Sequence, residues 1–206
     1  MEYLFLIIVL LFSIVIHEVA HGTAADYLGD PTARHAGRLT LNPIKHLDFF
    51  GSFLVPLFLI ILRSPFLIGW AKPVPINPYN FKDQKYGSAK VALAGPGANI
   101  LIAVIFGIII RIIPLGASPF FQNLISFFSY IVWINLLLAI FNLLPVPPLD
   151  GSHILFTFLP YSMEKTKIFL SKYGTFILLF IIFFCFEWLS SVINLFFKII
   201  VGTFYF

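Results

Sequence analysis

The chain has 206 residues, of which 60% are hydrophobic and only 11% are charged, and its formal net charge is +4. A soluble domain would have about 25% charged residues, so this composition excludes a soluble globular protein and indicates an integral membrane protein. The Lys and Arg residues are spread over short loops and span ends, which argues against nucleic-acid binding. The single cysteine, Cys185, excludes an internal disulfide and a cysteine-based zinc site.

The first apolar segment, about residues 3–27, contains the pattern HEVAH at residues 17–21. It lacks a basic region and a cleavage site, so we expect a retained span and not a signal peptide. On a helix, His17 and His21 project from one face, a turn apart, which lets two imidazoles reach one Zn²⁺ with Glu18 beside them as general base. Buried histidines satisfied by neighbouring helices are the alternative. Three ionisable groups at this depth are costly and favour a functional site.

Residues 32–78 contain no uninterrupted apolar stretch long enough to span a bilayer. Residues 32–48 are polar and basic, and within them residues 39–43 are expected to form a short strand closed by a turn. Residues 49–62 are apolar but only fourteen residues long and are interrupted by Pro56, which favours a re-entrant segment. Residues 69–78 contain three prolines within six positions, which predicts an extended backbone.

Two further spans are predicted at about residues 89–113 and 121–144, and at least one more lies within residues 174–206. The expected fold is an all-α polytopic membrane protein, a bundle of about five to six transmembrane helices with a short re-entrant or extended β element. We expect a single membrane-embedded domain over residues 1–206. Its catalytic core is predicted at about residues 3–160, followed by C-terminal helices at about 166–206.

Charge in the loops predicts the orientation of the spans. Residues 32–48, 72–90 and 165–172 are basic, whereas residues 114–120 carry no charge. The positive-inside rule then places the three basic loops on the cytoplasmic side. It also brings the HEVAH pattern and residues 142–150 to a similar depth near that side, which favours one shared site.

Two histidines leave a catalytic zinc one protein ligand short of the usual three. Asp150 is the favoured candidate because it follows a proline-rich break, and irregular backbone at membrane depth is tolerated only where it lines a cavity or is buried. Its alternative role is to cap the helix that follows. Glu187 and, less strongly, His153 are the other candidates for this ligand. Glu187 is instead expected at the membrane interface, and His153 is expected to be a loop or capping residue, with a role as partner of a metal ligand as its lesser alternative.

Asn135 and Asn142 are seven residues apart and therefore share one helix face. Asn142 could donate a hydrogen bond to a developing oxyanion or bind a substrate carbonyl. It could equally satisfy the backbone carbonyls that are freed by the prolines at 145–148. The residues alone leave both roles open.

Four segments together resemble the site-2 protease family of intramembrane zinc metalloproteases. In chain order they are HEVAH (17–21), GWAKPVP (69–75), AGPGAN (94–99) and NLLPVPPLDG (142–151). The resemblance covers roughly residues 5–160 and implies one zinc held by His17, His21 and Asp150. It also implies that Glu18 is the catalytic acid/base and that Asn142 has a polar role near the scissile bond. Neither a PDZ nor a CBS module is visible, so the chain resembles the minimal prokaryotic form.

The resulting prediction is a zinc metalloprotease that cleaves single-pass transmembrane proteins within or near a prokaryotic plasma membrane, with its active site towards the cytoplasm. The substrate is expected to pair with an extended edge in residues 36–42 or 70–78. The rival hypothesis is a metal-ion transporter that uses the same cluster. A transporter needs a polar path to the far side, but residues 4–12 supply no polar side chain.

Overall fold

The computed structural model describes residues 2–62, 70–114 and 118–202, so Met1 and residues 63–69, 115–117 and 203–206 lie outside the described ranges. Within those ranges the chain forms eight α-helices and no β-strand. The helices are α1 (Glu2–Tyr27), α2 (Thr32–His35), α3 (Val55–Ile61), α4 (Gly87–Ile112), α5 (Pro119–Asn142), α6 (Asp150–Phe158), α7 (Glu164–Phe184) and α8 (Phe186–Val201). The predicted all-α polytopic fold is confirmed.

Helices α1, α4 and α5, together with α7 and the turn before it, are long and apolar enough to cross a membrane. The bounds of α1, α4 and α5 lie within two residues of the spans expected from the sequence. Helix α8 is apolar but has only 16 residues, because the helical backbone breaks at Cys185. The described residues thus contain four candidate spans and a fifth, shorter apolar helix.

The main apolar core lies between α4, α5 and α8. Its buried members are Ala103, Ile110, Val132, Leu136, Leu189, Ile193, Phe197 and Val201. On α8 these residues recur every four positions and form one face, which is the pattern of a helix buried on one side. Large apolar side chains such as Phe196 and Ile199 cover the other face and are exposed, as expected for a surface in contact with lipid.

Helix α4 packs against α1, α5, α6 and α8, so it occupies the centre of the bundle. Pro96 lies inside α4 without ending it. Helix α6 begins at Asp150 and packs against α4. Helix α4 is therefore the element that brings the HEVAH helix and the segment after the proline break to one place.

The expected short strand at residues 39–43 was wrong. The chain instead bends and forms a 3₁₀ turn at Pro43–His46, with the Asn42 side chain accepting a hydrogen bond from the Ile44 amide at 3.1 Å. An Asn cap followed by proline favours a helical turn over a strand. Residues 70–77 form no helix, in line with their prolines, and pair with no strand in the described ranges. Residues 49–61 form a π-helical turn followed by the short α3.

Candidate metal centre

Three side chains that are far apart in sequence meet at the junction of α1 and α6. The Nε2 atoms of His17 and His21 are 3.0 Å apart. The Oδ2 atom of Asp150 lies 3.1 Å from the first of these nitrogens and 3.2 Å from the second. Both histidines are buried, and Asp150 is partly buried. The three atoms form a nearly equilateral triangle.

The triangle fits a zinc ion. Ligand atoms arranged tetrahedrally around zinc at about 2.0–2.1 Å lie about 3.3 Å from one another. The observed separations of 3.0, 3.1 and 3.2 Å are close to that value. The Oδ2 atom of Asp150 is buried and receives no well-aligned hydrogen bond from any described residue. These three residues therefore form a group able to hold a metal ion.

The charge of Asp150 suits that role. Burial alone would raise the pKa of its carboxyl group, but the interactions with His17 and His21 outweigh it and lower the pKa to about 2. The carboxylate is therefore ionised at neutral pH. An ionised carboxylate beside two imidazoles is one of the donor sets found in catalytic zinc sites.

The second nitrogen of each imidazole is bound to α4. Nδ1 of His17 lies 2.6 Å from Oδ1 of Asn99, and Nδ1 of His21 lies 2.7 Å from the backbone oxygen of Val91. Both partners are acceptors, so each Nδ1 must carry the proton and donate. Nε2 of each ring is then left to face Asp150, where it binds either a proton or a metal ion.

Asn99 is itself held in place by a buried polar cluster. Its Nδ2 donates to Oδ1 of Asn135 at 2.8 Å and to the backbone oxygen of Ser13 at 3.3 Å. Asn135 in turn donates to the Ser13 hydroxyl at 3.0 Å. These bonds fix the orientation of the Asn99 amide and turn its oxygen towards His17. No role was predicted for Asn99 from the sequence, although a polar residue inside an apolar span is a usable signal.

Gly95 lets α4 approach the two histidines. A Cβ atom at this position would collide with the imidazoles of both His17 and His21. A Cβ atom at Gly97, two residues further along the helix, would have no described heavy atom within 4 Å. Close contact between α1 and α4 at the triad therefore depends on the missing side chain of Gly95.

Glu18 lies in the same cavity as the triad, which has a volume of about 360 Å³. Its Oε2 accepts a hydrogen bond of 2.8 Å from the backbone amide of Val74 in the extended segment. Val74 also lines the cavity. The carboxylate is thus close to the triad and is oriented by a backbone donor, a kind of contact that side-chain patterns do not predict.

Asn142 and His153 also line this cavity. Asn142 is the last residue of α5, and its Nδ2 donates to the Leu138 oxygen of its own helix at 2.9 Å, not to the backbone after the prolines. His153 lies one turn after Asp150 on α6 and not in a loop. Glu187 is in the first turn of α8 and is not among the described residues that line the cavity.

Asp150 is the first residue of α6, the N-cap position is occupied by Leu149, and no described backbone amide donates to the Asp150 side chain. The alternative role as a helix cap therefore has no contact to support it within the described part of the chain. The predicted residues His17, Glu18, His21, Asn142 and Asp150 all line one cavity. Their individual roles stay predictions.

Comparison with known proteins agrees with this chemistry. The family model for peptidase family M50 matches residues 107–185. The chain is 40% identical to the "Putative zinc metalloprotease YwhC" of Bacillus subtilis, over 86% of this chain and 80% of that protein. It is 32% identical to the "Putative zinc metalloprotease Rip2" of Mycolicibacterium smegmatis, over 68% of this chain and 52% of that protein. No solved structure matches the chain. This protein therefore belongs to peptidase family M50, the site-2 protease family, and is a zinc metalloprotease.

Proposed function

We propose that this zinc metalloprotease hydrolyses peptide bonds of single-pass transmembrane proteins within or near the bilayer. The observation that carries the proposal is the triangle of His17, His21 and Asp150, with Glu18 in the same cavity. The triangle belongs to α1, an apolar helix long enough to span a membrane, and to α6, which packs beside it on α4. A hydrolytic site on a spanning helix suits a substrate that is itself in the membrane.

In this proposal His17, His21 and Asp150 hold one zinc ion, which matches the three protein ligands usual for a catalytic site. Bound zinc would supply an activated water at neutral pH and polarise the scissile carbonyl. Glu18 accepts a proton from the attacking water and later passes it to the leaving amine. Asn99 and the Val91 carbonyl keep the imidazoles oriented from the opposite side.

Asn142 is proposed to bind the substrate near the scissile bond. One of its two amide N–H groups is used by the Leu138 oxygen. Because a primary amide has two N–H donors, the other is available for a substrate carbonyl or a developing oxyanion. Its place in the lining of the cavity supports this role.

The structure limits how a substrate could pair with the extended segment. Pro73 and Pro75 have no N–H, and the amide of Val74 between them is bonded to Glu18. A substrate lying along residues 73–75 would therefore find carbonyl acceptors but no free donor. Residues 36–42 form no strand in the described chain. Neither predicted edge therefore offers a complete set of backbone hydrogen bonds to a substrate strand.

The active site is proposed to open towards the cytoplasm of a prokaryotic plasma membrane. The support is the positive-inside rule applied to the basic loops near the site. The basic residues are Lys72, Lys82 and Lys85 in the segment before α4, Lys90 near the start of α4, and Lys165, Lys167 and Lys172 in the first half of α7. The lipid bilayer and a transmembrane protein substrate are the partners that the proposal requires.

Purified protein in proteoliposomes tests the proposal against metal transport. We expect bound zinc, cleavage of a single-pass transmembrane substrate, and loss of cleavage after chelation that added zinc restores. The same cleavage sequence as a soluble peptide is the comparison, and we expect it to be cut more slowly. Zinc flux across the liposome membrane without any proteolysis would contradict the proposal and favour a transporter.

A further inference from the structure

We infer that the backbone amide of Val74 is a positioning group for Glu18. The segment that presents it, residues 72–77, is called the strap below. The inference rests on the proposed role of Glu18 as the proton acceptor. It adds a residue whose side chain has no chemistry of its own and whose contribution comes from its N–H group.

The strap is anchored at its first residue. The backbone oxygen of Lys72 accepts a hydrogen bond of 2.7 Å from Nη2 of Arg38. The backbone amide of Lys72 donates to the backbone oxygen of His46 at 2.9 Å. Arg38 and His46 are both buried, so this anchor is shielded from water.

The other end of the strap is anchored by Asp30. One carboxylate oxygen accepts from the Asn77 amide at 2.6 Å, and the other accepts from Nδ2 of Asn80 at 2.8 Å. Asp30 lies just after α1 and is fully buried. The strap is therefore fixed at both ends to the part of the chain that immediately follows the HEVAH helix.

The two prolines within the strap make Val74 the only possible donor over residues 73–75. A proline has no N–H, and its ring restricts both its own backbone and that of the residue before it to extended conformations. The single remaining N–H lies 2.8 Å from Oε2 of Glu18. Little conformational freedom is left to lose when this hydrogen bond forms.

Gly22 allows the strap to approach α1 closely. A Cβ atom at Gly22 would lie 2.9 Å from Cγ1 of Val74 and 2.7 Å from Cδ2 of Leu39, closer than real Cβ atoms come. Gly22 follows His21 directly, so the strap packs beside the metal triad. The Val74 side chain is buried in this contact.

These contacts assign different tasks to the two oxygens of Glu18. Oε2 is bonded to the strap, and Oε1 is left for the attacking water. A carboxylate on a flexible side chain would otherwise sample several rotamers, and fixing one oxygen restricts it to orientations that face the triad. The Val74 amide thus orients the proton acceptor without touching the substrate.

The first test compares Val74→Pro with Val74→Ala in the full-length, zinc-loaded protein. Both variants shorten or replace the side chain, but only the first removes the N–H. We expect kcat of Val74→Pro to be about 10- to 100-fold below that of Val74→Ala, the range for a hydrogen bond to a charged group, with similar KM and zinc content. Equal kcat in the two variants would overturn the inference, and so would a higher kcat in Val74→Pro.

A second measurement does not need the proline variant to fold and does not depend on activity. The exchange rate of the Val74 amide proton is compared in the wild type and in Glu18→Ala. We expect the rate to rise at least about tenfold in the variant, while the Asn77 amide, which is bonded to Asp30, keeps its wild-type rate. An unchanged Val74 rate would overturn the inference. An inactive wild type with a protected Val74 amide would instead count against the proposed function alone.

Discussion

Nδ1 of His17 lies 2.6 Å from Oδ1 of Asn99, and this contact joins the HEVAH helix to the centre of the bundle. Oδ1 of Asn99 can only accept, so Nδ1 of His17 must carry the hydrogen. The bond therefore fixes Nε2 as the ring nitrogen that faces the triad. Partners of this kind orient metal-binding histidines and tune their affinity.

Replacing Asn99 with alanine is therefore expected to weaken zinc binding by about 10- to 100-fold. Competition with a chromogenic chelator measures the affinity directly. Asn99→Asp is the comparison variant, because it loses the N–H donors to Asn135 and Ser13 but keeps an oxygen acceptor for His17, and it should bind zinc more tightly than Asn99→Ala. Wild-type affinity in Asn99→Ala would show that this contact does not support the metal site.

Gly95 and Gly97 provide a matched pair on one helix. A methyl group at Gly95 would collide with both imidazoles, whereas one at Gly97 would enter open space. We expect Gly95→Ala to bind less than one zinc per chain and Gly97→Ala to bind one, as determined by elemental analysis of the purified variants. The account of α1–α4 packing would be wrong if the two variants behaved alike.

Substitutions of Asp150 and Glu187 distinguish between the two acidic candidates for the third zinc ligand. We expect Asp150→Ala to lose zinc and peptidase activity, because a catalytic zinc requires three protein ligands. Glu187→Gln is expected to keep both, since Glu187 lies outside the described lining of the cavity. Zinc loss in Glu187→Gln, with retention in Asp150→Ala, would reverse the assignment.

The hydrogen-bonded carboxylate of Asp30 is expected to make the free energy of unfolding depend on pH. Burial alone would raise the pKa of its carboxyl group, but hydrogen bonds from Thr32, Asn77 and Asn80 outweigh it and lower the pKa. The folded pKa is thus below the unfolded value of about 3.9, so the stabilisation is complete above that pH and is lost as pH falls through the folded pKa.

Denaturant unfolding in detergent between about pH 3 and 7 measures this effect. We expect the wild type to lose stability at the acid end of the range. Asp30→Asn should be less stable at neutral pH and should show a weaker acid dependence. Parallel pH profiles for the two proteins would argue against the Asp30 anchor.

The sequence was sufficient for the parts of the structure that depend on pattern. Apolar runs predicted α1, α4 and α5, and the HEVAH spacing placed two histidines on one face of α1. Asp150 was predicted because a proline-rich break at membrane depth must line a cavity or be buried. Asp150 comes close to the histidines because α1 and α5 end at the same side of the bundle and Asp150 follows the end of α5.

Other contacts could not be predicted because they depend on tertiary packing. The Asn99 contact requires the register of α4 against α1, which is set by the missing side chain of Gly95. The Val74 contact uses a backbone amide, and side-chain patterns do not report on backbone donors. The expected strand at residues 39–43 failed because the Asn42 cap and Pro43 favour a turn locally.

Glu18→Gln tests the central claim most directly. The substitution keeps the size of the side chain and an oxygen that can accept from Val74, but it removes the proton acceptor. Wild type and variant, matched for zinc content, are incubated with a single-pass transmembrane substrate in the same liposomes. We predict cleavage by the wild type and a rate at least about 100-fold lower in the variant. Equal cleavage by the two proteins at equal zinc content would contradict the proposed mechanism.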